Sequence, residues 1–164
     1  MKFVNNKIAF CLAIQFAFIS CEYMSKSNLP SFDIVVVDDS LSIYNTAWMG
    51  KGYPIVFIYF SPECDHCQMQ TDSILNNINS FRNARFFFIS TDSLRLVKEF
   101  RNKYQFEKYP NVKIGLDREG YFLRHYHPKN IPTIAIFNRN KELKFMYDGG
   151  TSMNNLIGNL KDLY

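Results

Sequence analysis

The apolar run Ile55-Val56-Phe57-Ile58-Tyr59-Phe60 is followed by the break Ser61-Pro62-Glu63 and then by Cys64-Asp65-His66-Cys67. A short run apolar on both faces reads as a strand buried on both sides, and the stretch after Cys64 has helical spacing. The chain must therefore place two thiols in the first turn of a helix at the end of a buried strand. There the helix dipole and the unpaired N–H groups favour a thiolate on Cys64, and Cys67 lies within reach to close a disulfide. That pattern suits thiol–disulfide exchange.

The first 20 residues read as an export signal. Met1 to Lys7 holds two lysines and no acid, and Ile8 to Ile19 is apolar but shorter than the ~20 residues of a membrane span. Phe18-Ile19-Ser20-Cys21 resembles the lipobox of bacterial lipoproteins, in which the cysteine is lipidated and becomes the mature N-terminus; Phe18 stands where leucine is usual. The plain alternative is an ordinary cleaved signal with an incidental cysteine. Of the four cysteines, Cys11 would leave with the signal and Cys21 would carry lipid, so only Cys64 and Cys67 remain for chemistry in the domain. Zinc needs about four ligands and no second cysteine pair exists, so no metal site and no cofactor are expected.

Residues 21–31 are polar and without periodicity and read as a tether, spanning at most roughly 35–40 Å when extended. The formal charge is +4, which falls to +2 once Lys2 and Lys7 are removed, leaving 17 basic against 15 acidic residues. No dense basic cluster interleaved with aromatics is evident, so nucleic acid is not expected as a partner. The rest, 32–164, is the length of one domain with a core of its own.

Within that domain, Phe32–Val37 and Leu41–Ile43 predict an entering β-hairpin. Strands follow at Ile55–Phe60, Arg85–Ser90 and Val112–Leu116, with helices over Asp65 to about Asn79, Ser93–Tyr104 and Glu119–Tyr126. Strands at Ile134–Phe137 and Leu143–Tyr147 flank the turn-forming Asn138-Arg139-Asn140-Lys141. Met153, Leu156, Ile157 and Leu160 give a last helix its buried stripe.

This order, with Cys-x-x-Cys opening the first helix and Ile131-Pro132-Thr133 opening a late strand, resembles the thioredoxin fold. The N-terminal hairpin, the inserted segment before Pro132 and the export signal make residues 32–164 most similar to TlpA/ResA-like thiol–disulfide oxidoreductases of the bacterial envelope. The resemblance implies an α/β/α sandwich on a central mixed sheet, with Cys64 as nucleophile and Cys67 as resolving thiol. It further implies a cis Pro132 beside them, with Ile131 and Thr133 pairing with an extended substrate segment. His66, Asp65 and Glu63 would tune the thiolate by charge, His66 favouring it and Asp65 opposing it. His125 and His127 read as surface residues, with the approach of one of them to the active site as the alternative. Partners would be disulfide-bearing exported proteins and a thiol electron donor. The domain would act as a monomer, held outside the cytoplasm by lipid on Cys21.

Several positions depart from the family. Glu63 replaces a tryptophan, Ile58 a buried aspartate, Gln70 a glutamate and Asp72 a helix-kinking proline, so the familiar proton acceptors are missing. Two other classes share the fold. A thiol peroxidase is suggested by Ser61-x-x-Cys64, although Phe57 stands where such enzymes have proline. A non-catalytic metal- or partner-binding module is the other, but copper carriers space their cysteines one residue wider.

Overall fold

A computed structural model describes residues 28–38 and 41–164. The export signal and Cys21 lie outside the described residues. The strands are β1 Asp33–Val36, β2 Ile43–Asn45, β3 Ile55–Tyr59, β4 Arg85–Ser90, β5 Val112–Leu116, β6 Thr133–Phe137 and β7 Leu143–Asp148. The helices are α1 Asp65–Asn76, α2 Leu94–Tyr104, α3 Tyr121–Tyr126 and α4 Met153–Lys161. The described strands form one mixed sheet in the order β2-β1-β5-β4-β3-β6-β7.

β3 lies between parallel β4 and antiparallel β6, with Phe57 opposite Phe87 on one side and Ala135 on the other. All five of its residues are buried. Val56 and Ile58 face a core shared with Ile74 of α1, Phe100 of α2 and Leu156 and Leu160 of α4. Ile55, Phe57 and Tyr59 face a second core built with Phe32, Met49 and Phe122 of α3. Three helices thus cover one face, and α3 with the chain around Phe32 and Met49 covers the other. Each fully buried phenylalanine or isoleucine contributes ~1.5–3 kcal/mol relative to an exposed one.

The element boundaries shift for local reasons. The second hairpin strand starts at Ile43 and not Leu41, because Leu41 takes a left-handed conformation (φ 52°) within the turn. α1 stops at Asn76 because Asn77 leaves the helical region and its Nδ2 donates to the Ser73 carbonyl at 2.9 Å; a 3-10 turn, Ile78–Phe81, carries the chain on. α3 starts at Tyr121 and not Glu119. Gly120 is left-handed (φ 61°), and the Asp117 carboxylate accepts the N–H groups of Tyr121 and Phe122 at 2.9 and 2.7 Å. Residues 28–31, read from sequence as the end of the tether, lie against the domain: Leu29 donates its N–H to the Lys141 carbonyl at 2.8 Å, and the Thr46 hydroxyl donates to the Pro30 carbonyl at 2.6 Å.

A candidate active site

The end of β3 and the start of β6 lie side by side, with Tyr59 opposite Thr133. The chain leaving β3 and the chain entering β6 therefore meet at one end of the sheet. Cys64 is the N-cap of α1, and its Sγ accepts the backbone N–H of Cys67 at 3.3 Å. That amide is one of the donors a helix start leaves without a backbone partner, and it points at the sulfur where negative charge would reside. The S–H of Cys64 is directed at the Ile131 carbonyl, 4.0 Å away. The Ile131–Pro132 peptide is cis.

The two thiols differ in environment. Cys64 is half-buried, whereas Cys67 is only 1% exposed. Burial pushes the Cys67 thiol up to about 12, and its hydrogen bond with Cys64 acts in the same direction. A backbone hydrogen bond from Ser61 works against them, and the charges of Cys64 and Asp92 add to the rise. Cys67 is thus protonated at neutral pH and withheld from solvent, while the half-buried Cys64 keeps partial access to it. Asp92, at the end of β4, accepts the Ser90 hydroxyl at 2.9 Å. It was missed in the sequence, where only the family's own carboxylate positions offered a signal.

Glu63, Asp65 and His66 are exposed around Cys64. His66 faces a groove of about 390 Å³ between α1 and the β7–α4 loop, lined from the helix by His66, Met69, Gln70 and Ser73 and from the loop by residues 149–153. Gln70 is buried, and its Oε1 accepts the Thr151 N–H at 2.9 Å. A Cβ on Gly150 (φ 88°) would meet that same oxygen at 2.8 Å and the Pro132 ring at 3.4 Å.

The loop before β6 is held from below. The Asp148 carboxylate accepts the N–H groups of Asn130 at 2.7 Å and Lys129 at 3.0 Å, and Gly149 donates its N–H to the Pro132 carbonyl at 3.1 Å. The Asn130 N–H is the main cause holding the Asp148 carboxyl below the usual carboxylate range. Thr133, expected from the resemblance to bind substrate, is fully buried. Its hydroxyl donates to the Asn130 carbonyl at 2.6 Å and its backbone is enclosed between β3 and β7, so it supports the loop from within. Asp148 was not singled out from sequence; a carboxylate followed by Gly149-Gly150 at a strand end was its only signal. His125 stacks on the ring of Tyr121 and meets that of Tyr126 edge-on, which leaves it half-buried, whereas His127 is exposed.

No family model matches the sequence, and no curated protein matches it in a sequence search. Solved structures do match in shape. MTB DsbF, described in mixed oxidised and reduced forms, superposes with a TM-score of 0.69 at 19% identity, covering 81% of this chain and 95% of its own. A secreted Mycobacterium tuberculosis disulfide oxidoreductase homologous to E. coli DsbE gives 0.66 at 18% identity, with 80% and 96% covered. A putative protein disulfide isomerase from Bacteroides thetaiotaomicron gives 0.67 at 13%, with 84% and 88% covered. The chain has the thioredoxin fold. At these identities the likeness establishes the architecture alone.

Proposed function

We propose that the chain is a thiol–disulfide oxidoreductase of the bacterial envelope that reduces disulfides in exported proteins, anchored by lipid on Cys21. The observation that carries the chemistry is the asymmetry of the two thiols beside the Ile131–Pro132 loop. Cys64 attacks one sulfur of a partner disulfide and forms a mixed disulfide, while the other partner sulfur leaves as a thiolate and takes up a proton. Cys67 then loses its proton and attacks Cys64 Sγ, which releases the second partner thiol and leaves a Cys64–Cys67 disulfide. A thiol donor returns the pair to the dithiol through a second exchange. Attack and resolution are separated because a buried, protonated Cys67 does not compete for the incoming disulfide.

Several features support the finer reading. The N-terminal hairpin and the inserted α3 are both present, as in the TlpA/ResA-like arrangement. The shape is shared with an enzyme described as secreted. Glu63, Asp65 and His66 are exposed beside the half-buried Cys64.

The resolving step offers the test. Without reductant, Cys67→Ala should accumulate mixed disulfides with partner proteins that dithiothreitol releases, and Cys64→Ala should accumulate few or none. The same pull-down would name the partners. No trapped partner, together with no reduction of insulin disulfides by the wild type, would sink the proposal. Peroxide consumption dependent on Cys64 would point to the peroxidase class, and ion binding abolished by either substitution to the metal-binding class.

A further inference from the structure

The strand registers bring Ile55, Arg85, Val112, Phe137 and Leu143 together at the end of the sheet opposite the thiols. The connections there carry Lys51, Arg82, Arg85, Lys108, Arg139 and Lys141. The described acids at that end are Asp38, Glu107, Glu142 and, past the end of α4, Asp162 and the terminal carboxylate, the last two beside Lys161; Glu142 is paired with Lys144 at 2.8 Å and Glu107 with Arg101 at 4.0 Å. At the thiol end the balance reverses, with Asp33, Glu63, Asp65, Asp92, Asp117, Glu119 and Asp148 set against Arg118, Arg124 and Lys129. A modest net charge therefore conceals a domain with one basic end and one acidic end.

One corner, where Lys141 of the basic end reaches the turn that follows β2, holds more. Trp48, the single tryptophan of the chain, is 70% exposed on the turn Thr46–Trp48. Lys141 Nζ donates to the neighbouring Ala47 carbonyl at 3.2 Å, and the Gly52 N–H donates to the Arg139 carbonyl at 3.1 Å. Lys51 is near enough to Lys141 for its charge to add to the lowering that burial causes in the Lys141 ammonium. Asn28, through which residues 1–27 join the domain, bridges to Glu142 beside them. An exposed indole, a cation cluster and the entry of the N-terminal segment share this corner. Tryptophan flanked by lysine and arginine is the composition that settles at a lipid headgroup layer.

We propose that this corner docks the domain on an anionic bilayer surface, with Trp48 at the level of the headgroups and Lys51, Arg139 and Lys141 against lipid phosphates. The inference rests on the lipid-anchor reading given above, under which Cys21 sits within roughly 25 Å of Asn28 even on a fully extended chain. The docked orientation turns Cys64 and Pro132 toward the aqueous space, and the acidic end is repelled by the same surface. Each cation held near such a membrane strengthens association about five-fold, so removing two should weaken it about twenty-five-fold.

The test uses the processed protein as purified from host membranes, reconstituted in vesicles of phosphatidylcholine alone or mixed with phosphatidylglycerol. Flotation with either vesicle reports the anchor; Trp48 emission and its quenching by brominated lipid report docking. The expected result is a blue-shifted, bromolipid-quenched Trp48 only with phosphatidylglycerol, reversed by salt. If the protein is released unlipidated, the same vesicles are added to it in solution. Lys51→Gln with Arg139→Gln should then weaken binding about twenty-five-fold while leaving insulin reduction unchanged. Trp48 emission that is the same on both lipids, or unchanged by the double substitution, would overturn the proposal. So would binding to heparin as tight as to vesicles with no bromolipid quenching.

Discussion

Gln70 Oε1 accepts the backbone N–H of Thr151 at 2.9 Å, so the helix that carries both thiols is fastened to the loop that borders Pro132. The same oxygen occupies the space a side chain on Gly150 would need. Thiols, proline loop and groove wall are therefore one mechanical unit.

Substitution should expose that unity. Gly150→Ala forces a left-handed alanine against Gln70 and should cost ~1–3 kcal/mol, while Gln70→Ala strands the Thr151 N–H at a cost of ~1–3 kcal/mol. The double variant should lose less than the sum, by about 0.5 kcal/mol or more, since the clash vanishes with the amide. Urea unfolding of the four proteins measures the cycle, and strict additivity would refute the shared contact.

Cys67 should make the reduced protein sensitive to alkali. Its thiol is raised from an ordinary 9.0 to about 12, so between those values the folded chain keeps a proton that the unfolded chain has lost. Stability is then fully present below pH 9 and falls on the alkaline side by about 1.4 kcal/mol per pH unit relative to Cys67→Ala. Denaturant midpoints of both proteins across pH 8–10.5 check the slope. Asp92→Asn, by deleting a charge that disfavours the thiolate, should move the alkylation midpoint of Cys67 downward; no movement would remove Asp92 from its surroundings.

Much of this arrangement was legible in the sequence, and the exceptions share a cause. Ile55–Tyr59, Arg85–Ser90 and Val112–Leu116 announce themselves because strands buried on both faces leave uninterrupted apolar runs. Cys64, Cys67 and Pro132 were recoverable because their residue types are rare and their spacing is local or familiar. Gln70, Asp92 and Asp148 carry no such mark. Their roles come from what the fold sets opposite them, Thr151, Cys67 and Asn130, and those partners are distant in sequence. Thr133 shows the complementary effect: its position beside Pro132 suggests substrate contact, and the pairing of β6 on both edges, invisible in the sequence, buries it.

Acid should loosen the Pro132 loop before the core unfolds. Asp148 is held below the usual carboxylate range, chiefly by the Asn130 N–H, so its contribution is complete at neutral pH and is lost as pH falls through its depressed folded value. Amide exchange at Lys129 and Asn130, corrected for intrinsic rates, should accelerate on acidification in the wild type. In Asp148→Asn it should already be fast at neutral pH. Equal protection in both proteins at neutral pH would show that the carboxylate does not hold the loop.

The anchor has its own signature. Wild type expressed in a bacterial host should sediment with membranes, and Cys21→Ser should not carry lipid. A single acyl chain binds only marginally, so firm retention of the wild type would indicate several chains on one cysteine. Identical release of the two proteins into the soluble fraction would end the lipoprotein reading.

Cys64 and Ile131 approach each other across 67 positions of sequence, and β3 has to wait for β6 before its second edge is closed. During synthesis the two cysteines emerge long before the proline loop that completes their surroundings. Contacts so distant are slow to form. Until the last third of the chain is available, the nascent molecule is a dithiol without a recognition surface, and competence for exchange arrives only with completion of the fold.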